Sequence, residues 1–474
     1  MINSEFQPWI IRDFSGGLNQ KVDDNLIANN QAADVQNCIV TIQGRLKKRP
    51  GCAKLNATTL GGAVQGLHAY HYGVTLASHK LVAAANGIVA YWDTGTSAFV
   101  NIATGLNTSA QVQFETCATY MVYMNGVNAP RKWNGAVDSL LSNAPATGKC
   151  PVLHKEKLFC ISDINTVKWS ENFKPETWLS VNYWEIDKGD GDELSGLWRF
   201  GRQLLVAKKL RLFKLKGTSF DDFEADCIEK QHGVAGLRAG IVLEPYFYYI
   251  SKDGIFRWDG VQSFCISDPP DSSGLPGIKT LWDTVNKLYL SNAVAGYNAA
   301  YNSLWFAVPE GASTTNNMLL VYDLSHRSWW VHRGIPVSCM VEYNDGSTIK
   351  LYAGHSSLGW TMKQNTGFND IGSAITAYWV GKNFDGDLAG RKKLVKDVFV
   401  VDVKSLNDAT FNYKINRAAA WTAPTATSDA DDRRKFKIDY GTFYYFQPKF
   451  LHSTLDADFC LSEFNAYWRW KSVS

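Results

Sequence analysis

The densest run of chemistry-bearing side chains is EIDKGDGDE, from Glu185 to Glu193. Asp187, Asp190 and Asp192 alternate there with residues that turn the chain, and converging carboxylate oxygens suit a hard cation such as calcium. The spacing departs from the helix-flanked calcium loop, so calcium is a weak candidate. Gly189 and Gly191 equally suit a tight exposed turn or an interface. His68 and His71 are a second metal-type pair, but residues three apart on a strand point to opposite faces, which favours core or surface roles. PATGKC, ending at Cys150, resembles a phosphate loop with two defects. Asn143 stands in place of the first glycine, and Cys150 replaces the hydroxyl that would hold magnesium.

Neither a GxSxG elbow nor an HExxH helix occurs. Paired acids for glycoside hydrolysis lie far apart in sequence wherever they occur, and no local motif marks them here. The chain therefore reads as a non-enzyme without a cofactor. Three basic clusters remain: Arg45, Lys47, Lys48 and Arg49; Arg391 to Lys393; and DDRRKFK from Asp431 to Lys437. Each suits phosphate contacts or an acidic protein surface. A formal net charge of +3 over 474 residues advertises neither a nucleic-acid nor a membrane surface. No apolar run is long enough for a membrane helix, and the early Glu5 argues against a secretory signal. Nine scattered cysteines without a CxxC pair read as free, mostly buried thiols in a protein made in a reducing cytoplasm.

Positioning such residues falls to β structure. Aromatic residues make up 13% of the chain, and this excess of large flat side chains favours pleated surfaces. Short alternating runs dominate, for example Leu81 to Trp92, Lys157 to Ile161 and Tyr246 to Trp258. Asn86-Gly87, Asn125-Gly126, Asp253-Gly254 and Asp345-Gly346 supply turn residues that tolerate positive φ.

A phrase recurs: a turn, then a strand ending in an aromatic. The anchors are Trp92, Trp133, Trp169, Phe213, Trp258, Tyr322 and Trp360, at spacings of 41, 36, 44, 45, 64 and 38 residues. A period of about 40 residues with one aromatic anchor is the mark of a β-propeller blade. The long interval implies an insertion, or one further hairpin between Leu281 and Tyr297. From Ser373 onward the strands lengthen (AITAYWVGKNF, LVKDVFVVDV, FCLSEFNAYWRWK) and are joined by polar linkers such as TAPTATSDADDRRK. The expected fold is all-β: a propeller of six or seven blades over 56–370, then a C-terminal antiparallel β-sandwich or barrel over 371–474. Residues 1–55 form an N-terminal arm too poor in apolar surface to fold alone.

That arm carries a signature. It contains Gly16-Gly17-Leu18-Asn19, Asn30-Gln31-Ala32, Asp34 and Asn37, and closes on Gly44-Arg45-Leu46 and Arg49-Pro50-Gly51. The pattern resembles the N-terminal signature of tail nozzle (tail hub, or tail tubular) proteins of short-tailed bacteriophages. Looser likenesses are GVNAPRKWNG from Gly126, the Asp190-Gly191-Asp192 turn, and KDGIFRWDG from Lys252. The resemblance implies a hexameric ring below the portal and adaptor, a propeller in each subunit and a continuous central tube. Tail needle, fibre or spike proteins would be neighbours, and double-stranded DNA would pass through. It implies a protein of the virion tail, assembled in the host cytoplasm, that retains the packaged genome and then conducts it. It brings no catalytic residues.

On this reading Gly16, Gly17, Asn19, Asn30, Asp34, Asn37, Arg45, Lys47, Lys48 and Arg49 are candidates for an assembly interface. A tube that conducts DNA should avoid tight phosphate binding, which turns the basic clusters towards protein partners. Two other readings stay open: a carbohydrate-binding or glycosidase propeller, and a ring or stopper component of another tail type.

Overall fold

A computed structural model describes residues 5–471 apart from 76–77, 218–221, 347, 389, 403–408, 425, 429–432 and 439–441. The chain is all-β, and its strands gather mainly into small antiparallel sheets. Six consecutive sheets are four-stranded meanders, opening on Val64–His71, Gln113–Cys117, Lys149–His154, Leu194–Phe200, Gly240–Leu243 and Val294–Asn298. A seventh opens on Val337–Asn344 and continues through Ile349–His355 and Thr361–Gln364. Its fourth strand comes from the other end of the chain: Cys52–Lys54 pairs antiparallel to Thr361–Gln364, Gln364 facing Cys52.

The opening strands pack side by side in chain order, and Val337–Asn344 packs back against Val64–His71, so the neighbour contacts run full circle. The seven aromatic anchors fall on the third strand of successive sheets, or in the case of Trp360 immediately before it. They act as wedges. Trp133 lies against Tyr70 and Tyr91 of the first sheet, at 5.4 and 5.3 Å between ring centres, and Trp258 against Phe200 of the fourth at 4.9 Å. Trp258 is fully buried, and removing such a ring from a packed core costs about 3–5 kcal/mol. The long interval is an insertion, not a hairpin. Short helical turns at Asp271–Ser273, Lys279–Trp282 and Lys287–Asn292 precede the sixth sheet and bury Trp282 beneath them.

The C-terminal residues form two further sheets. Lys393–Asp402 and Cys460–Trp470 are the long central strands of one, joined by Arg433–Lys437 and Ala426–Ser428. Thr410–Ile415, Phe446–His452 and Ala377–Val380 build the other. Phe411 and Phe450 of the second sheet meet Phe464 of the first at 5.8 and 5.7 Å, a shared aromatic core. Of the expected polar linker, residue 425 and residues 429–432 lie outside the described residues, so Asp431 is not placed.

The N-terminal residues are not a free arm: too poor in apolar surface to fold alone, they add their strands to both C-terminal sheets. Gln7–Ile11 pairs with Cys460–Trp470, as does Leu46–Lys48, which in turn pairs with Cys38–Val40. Asp34–Gln36 extends the second C-terminal sheet along Ala377–Val380. The physical reason is spacing. Trp9, Ile11, Phe14, Leu18, Ile27 and Val35 occur singly, so they make no core of their own. Each is buried in a pocket built by the rest of the chain. Phe14, fully buried, meets Trp379 edge-on at 5.2 Å.

Candidate assembly segment and central cavity

The signature residues mostly face inward. Asn37 and Arg49 form its hub, at 3% and 1% exposure. Asn37 sits at φ 55, a left-handed conformation that asparagine tolerates better than most residues. Its Oδ1 accepts from Arg49 Nε at 2.8 Å and from the Arg333 backbone N–H at 2.9 Å, while its Nδ2 donates to Thr376 O. Arg49 donates from both Nη atoms to Asp370, and also to the carbonyls of Arg333 and Pro50. One guanidinium therefore ties the signature, the sixth sheet and the segment leading to the C-terminal sheets. Gly51 completes this closure: a Cβ there would lie 1.9 Å from Asn369 O.

The glycine pair is equally internal. Gly17, at φ 63, leaves no room for a side chain, because a Cβ would sit 2.6 Å from Trp329 O. Gly16 donates its N–H to Asn30 O, and Asn30 Nδ2 donates to Asp13. Asn19 Nδ2 donates to Gln31 Oε1. Among the basic candidates Lys48 is fully buried, its ammonium held by the carbonyls of Thr454 and Ala457, and desolvation pulls it below the ordinary lysine value. Lys47 pairs with the largely buried Asp458 at 3.0 Å. Of the ten candidates only Asp34 and Arg45 are exposed, and burial of its carboxyl beside Tyr378 still raises Asp34 above its ordinary value. The proposed interface set is thus mainly an internal weld, with those two at the surface.

The calcium candidates are corrected in the same way. Asp187 accepts from Arg211 at 2.9 Å, and Asp190 from Lys208 at 2.8 Å and Arg211 at 3.3 Å. Asp192 accepts the backbone N–H groups of Leu210 and Glu193. Two cations already compensate Asp187 and Asp190, and among the described residues no group of metal-ligating side chains gathers. Desolvation alone raises the Asp190 carboxyl, yet bonds from Lys208 and the Asp192 N–H hold it below its ordinary value. Because Lys208 is fully buried, the turn is a charged latch between the third and fourth sheets.

His68 stacks on Phe114, and His71 stacks on His79 at 4.0 Å, so the HAYH pair is split as strand geometry requires. Cys150 lies buried on an opening strand, its sulfur accepting the Leu197 N–H, which leaves no phosphate loop. All nine cysteines are unpaired. In the basic run at 391–393, Lys393 is buried against the carbonyls of Leu388, Arg391 and Tyr444, and burial lowers it to about 8.

Sequence reasoning missed Arg238. It lies two residues before the opening strand of the fifth sheet, yet its guanidinium reaches the carbonyls of Ser338 in the seventh, Gln65 in the first and Val112 beside the second. Beside it lies a cavity of about 190 Å³ lined by Gln65, Gln111, Asn316 and Ser338 among other polar residues, with Ala63 and Val64 as an apolar part of the wall. No sequence signal marks such a residue, because backbone carbonyls look alike in every sequence. The lining contains neither a carboxylate nor an aromatic ring, so the paired acids of the glycosidase reading do not converge there.

No family model matches the chain, and no curated protein matches it. Among solved structures it is similar to the computationally designed Ika8 protein, at 10% identity and a TM-score of 0.42, over 66% of this chain and 99% of that one. It is also similar to the extracellular domain of a hybrid two-component system from B. thetaiotaomicron, at 10% identity and a TM-score of 0.46. That match covers 69% of this chain, which spans 41% of the other's length. Among the described residues no helix is long and apolar enough to cross a membrane.

Proposed function

We propose that this chain is a structural tail protein of a short-tailed bacteriophage, a nozzle or hub subunit that forms a six-fold ring. In this reading the seven sheets are the blades of a seven-bladed β-propeller, closed by the strand Cys52–Lys54. The two C-terminal sheets are a β-sandwich docked beside it. The observation that carries the reading is the fate of the signature. Gly17, Asn37, Arg49 and Gly51 each occupy a position that only that residue type fills well, and together they weld the N-terminal strands to both parts. A subunit of a pressurised conduit benefits from such a weld, because its parts must not shift when DNA moves past.

The conduit lies between copies in this account. Within one chain the centre of the sheet circle is crossed by Arg238 and narrows to a small cavity. A duplex does not pass there, so the tube is the space enclosed by six subunits. Heterologous contacts that close produce such rings, and the propeller and the sandwich supply two different faces for them. The adaptor ring lies above and needle, fibre or spike proteins below.

Sedimentation of the purified protein, alone and with the adaptor ring, tests the proposal. A six-subunit species, formed alone or only on the adaptor, supports it. A monomer that ignores the adaptor and binds a glycan array supports the lectin reading instead.

A further inference from the structure

We propose that the cavity beside Arg238 is a binding site for a small oxyanion, of phosphate or carboxylate type. The inference does not depend on the tail reading. Three of the five N–H groups of a guanidinium are taken by carbonyl oxygens here. Carbonyls satisfy hydrogen bonds but carry no compensating charge, and the groups that act electrostatically on the buried Arg238 are the thiols of Cys339 and Cys150, with no carboxylate among them. The remaining two N–H groups are left for whatever occupies the cavity.

The walls point the same way. Gln65 is 6% exposed and its Nε2 has no partner; Asn316 is 2% exposed and its Oδ1 has none. Gln111 Oε1 is also unpartnered. All three residues line the cavity with Arg238. Leaving one buried polar group unpaired costs about 1–3 kcal/mol; these atoms show almost no surface to the cavity as they stand, and turning the amides towards an occupant would recover that cost. Water satisfies the amides but leaves the positive charge uncompensated. An oxyanion that carries a hydroxyl, such as hydrogen phosphate or a hydroxycarboxylate, meets the charge, the amide donor and the amide acceptors together. The volume of about 190 Å³ admits a small ion of this kind with accompanying water.

The test is thermal unfolding of the full chain in rising phosphate, acetate and sulfate, against chloride at matched ionic strength. Binding predicts a Tm that climbs by about 1–3 °C for each tenfold rise in the ion that fits. Comparison of the phosphate and acetate arms identifies the headgroup. Gln111→Glu places a carboxylate inside the cavity without changing its volume. That variant is expected to melt higher than the parent in chloride and to lose the anion response. Arg238→Met is expected to lose the response as well, and Gln111→Glu keeps the test decisive if Arg238→Met does not fold. A parent protein whose Tm follows ionic strength alone overturns the proposal, as does a Gln111→Glu variant that responds like the parent.

Discussion

Arg49 and Asp370, 321 positions apart in the chain, meet as a two-pronged ion pair with Nη–Oδ distances of 2.9 and 2.5 Å. Both are at least nine-tenths buried. Separated from water, such a pair contributes little net stability compared with an apolar pair, but breaking it strands a charge. Arg49→Met is therefore expected to destabilise the chain by about 3–5 kcal/mol. Urea unfolding of Arg49→Met, Asp370→Leu and the double variant checks this. The double variant should be less damaged than the sum of the singles, and strict additivity would show that the two groups do not act together.

The acidic turn makes a separate prediction. Asp190→Asn keeps an oxygen that can accept from Lys208 but removes the charge that compensates the buried ammonium, and the expected cost is about 3–5 kcal/mol. Calcium or a chelator should leave the Tm of the parent unchanged, since Lys208 and Arg211 already occupy the carboxylates. A calcium-dependent rise in Tm would return the turn to the metal reading.

Buried histidines set the acid limit. Burial lowers His332 to about 3, with the nearby Arg49 charge adding to the effect, and burial likewise lowers His154 and His452 to about 4. In the unfolded chain each titrates near its ordinary value of 6.5. Between the two values the unfolded state binds more protons than the folded one, so stability falls as pH drops through that window and is unaffected above it. The slope is about 1.4 kcal/mol per pH unit for each such group. His332→Asn should flatten the profile of Tm against pH below about 6.5 relative to the parent. Superimposable slopes would contradict the assignment.

Deletion of residues 1–50 tests the weld as a whole. It removes the strands Gln7–Ile11, Asp34–Gln36, Cys38–Val40 and Leu46–Lys48 from the C-terminal sheets, with the buried Trp9, Phe14 and Arg49. The C-terminal part is expected to lose protection against protease, while the seven-sheet part keeps Cys52–Lys54 and resists longer. Equal resistance in truncated and full-length protein would show that these strands are dispensable.

The aromatic repeat was legible because each anchor recurs at one place in a meander, and Trp92 to Trp360 did mark seven third strands. The strand runs after Ser373 were legible for a similar reason, since their alternation of apolar and polar residues has period two. The N-terminal strands were not. Asp34–Gln36 and Cys52–Lys54 are three residues each, and their partners lie at the far end of the chain. The basic string from Arg45 to Arg49 suggested a surface, whereas strand alternation turns Lys48 to the same buried side as Leu46, and the Asn37, Asp370 and carbonyl acceptors draw Arg49 inside. Arg238 had no local signal of any kind.

Electron micrographs of the protein, alone and mixed with the adaptor ring proposed for it, test the central claim most directly. The account predicts a six-fold ring whose channel runs between subunits, with each subunit's own circle of sheets closed at its centre. A persistent monomer on the adaptor, or a channel running through the middle of a single subunit, would contradict it.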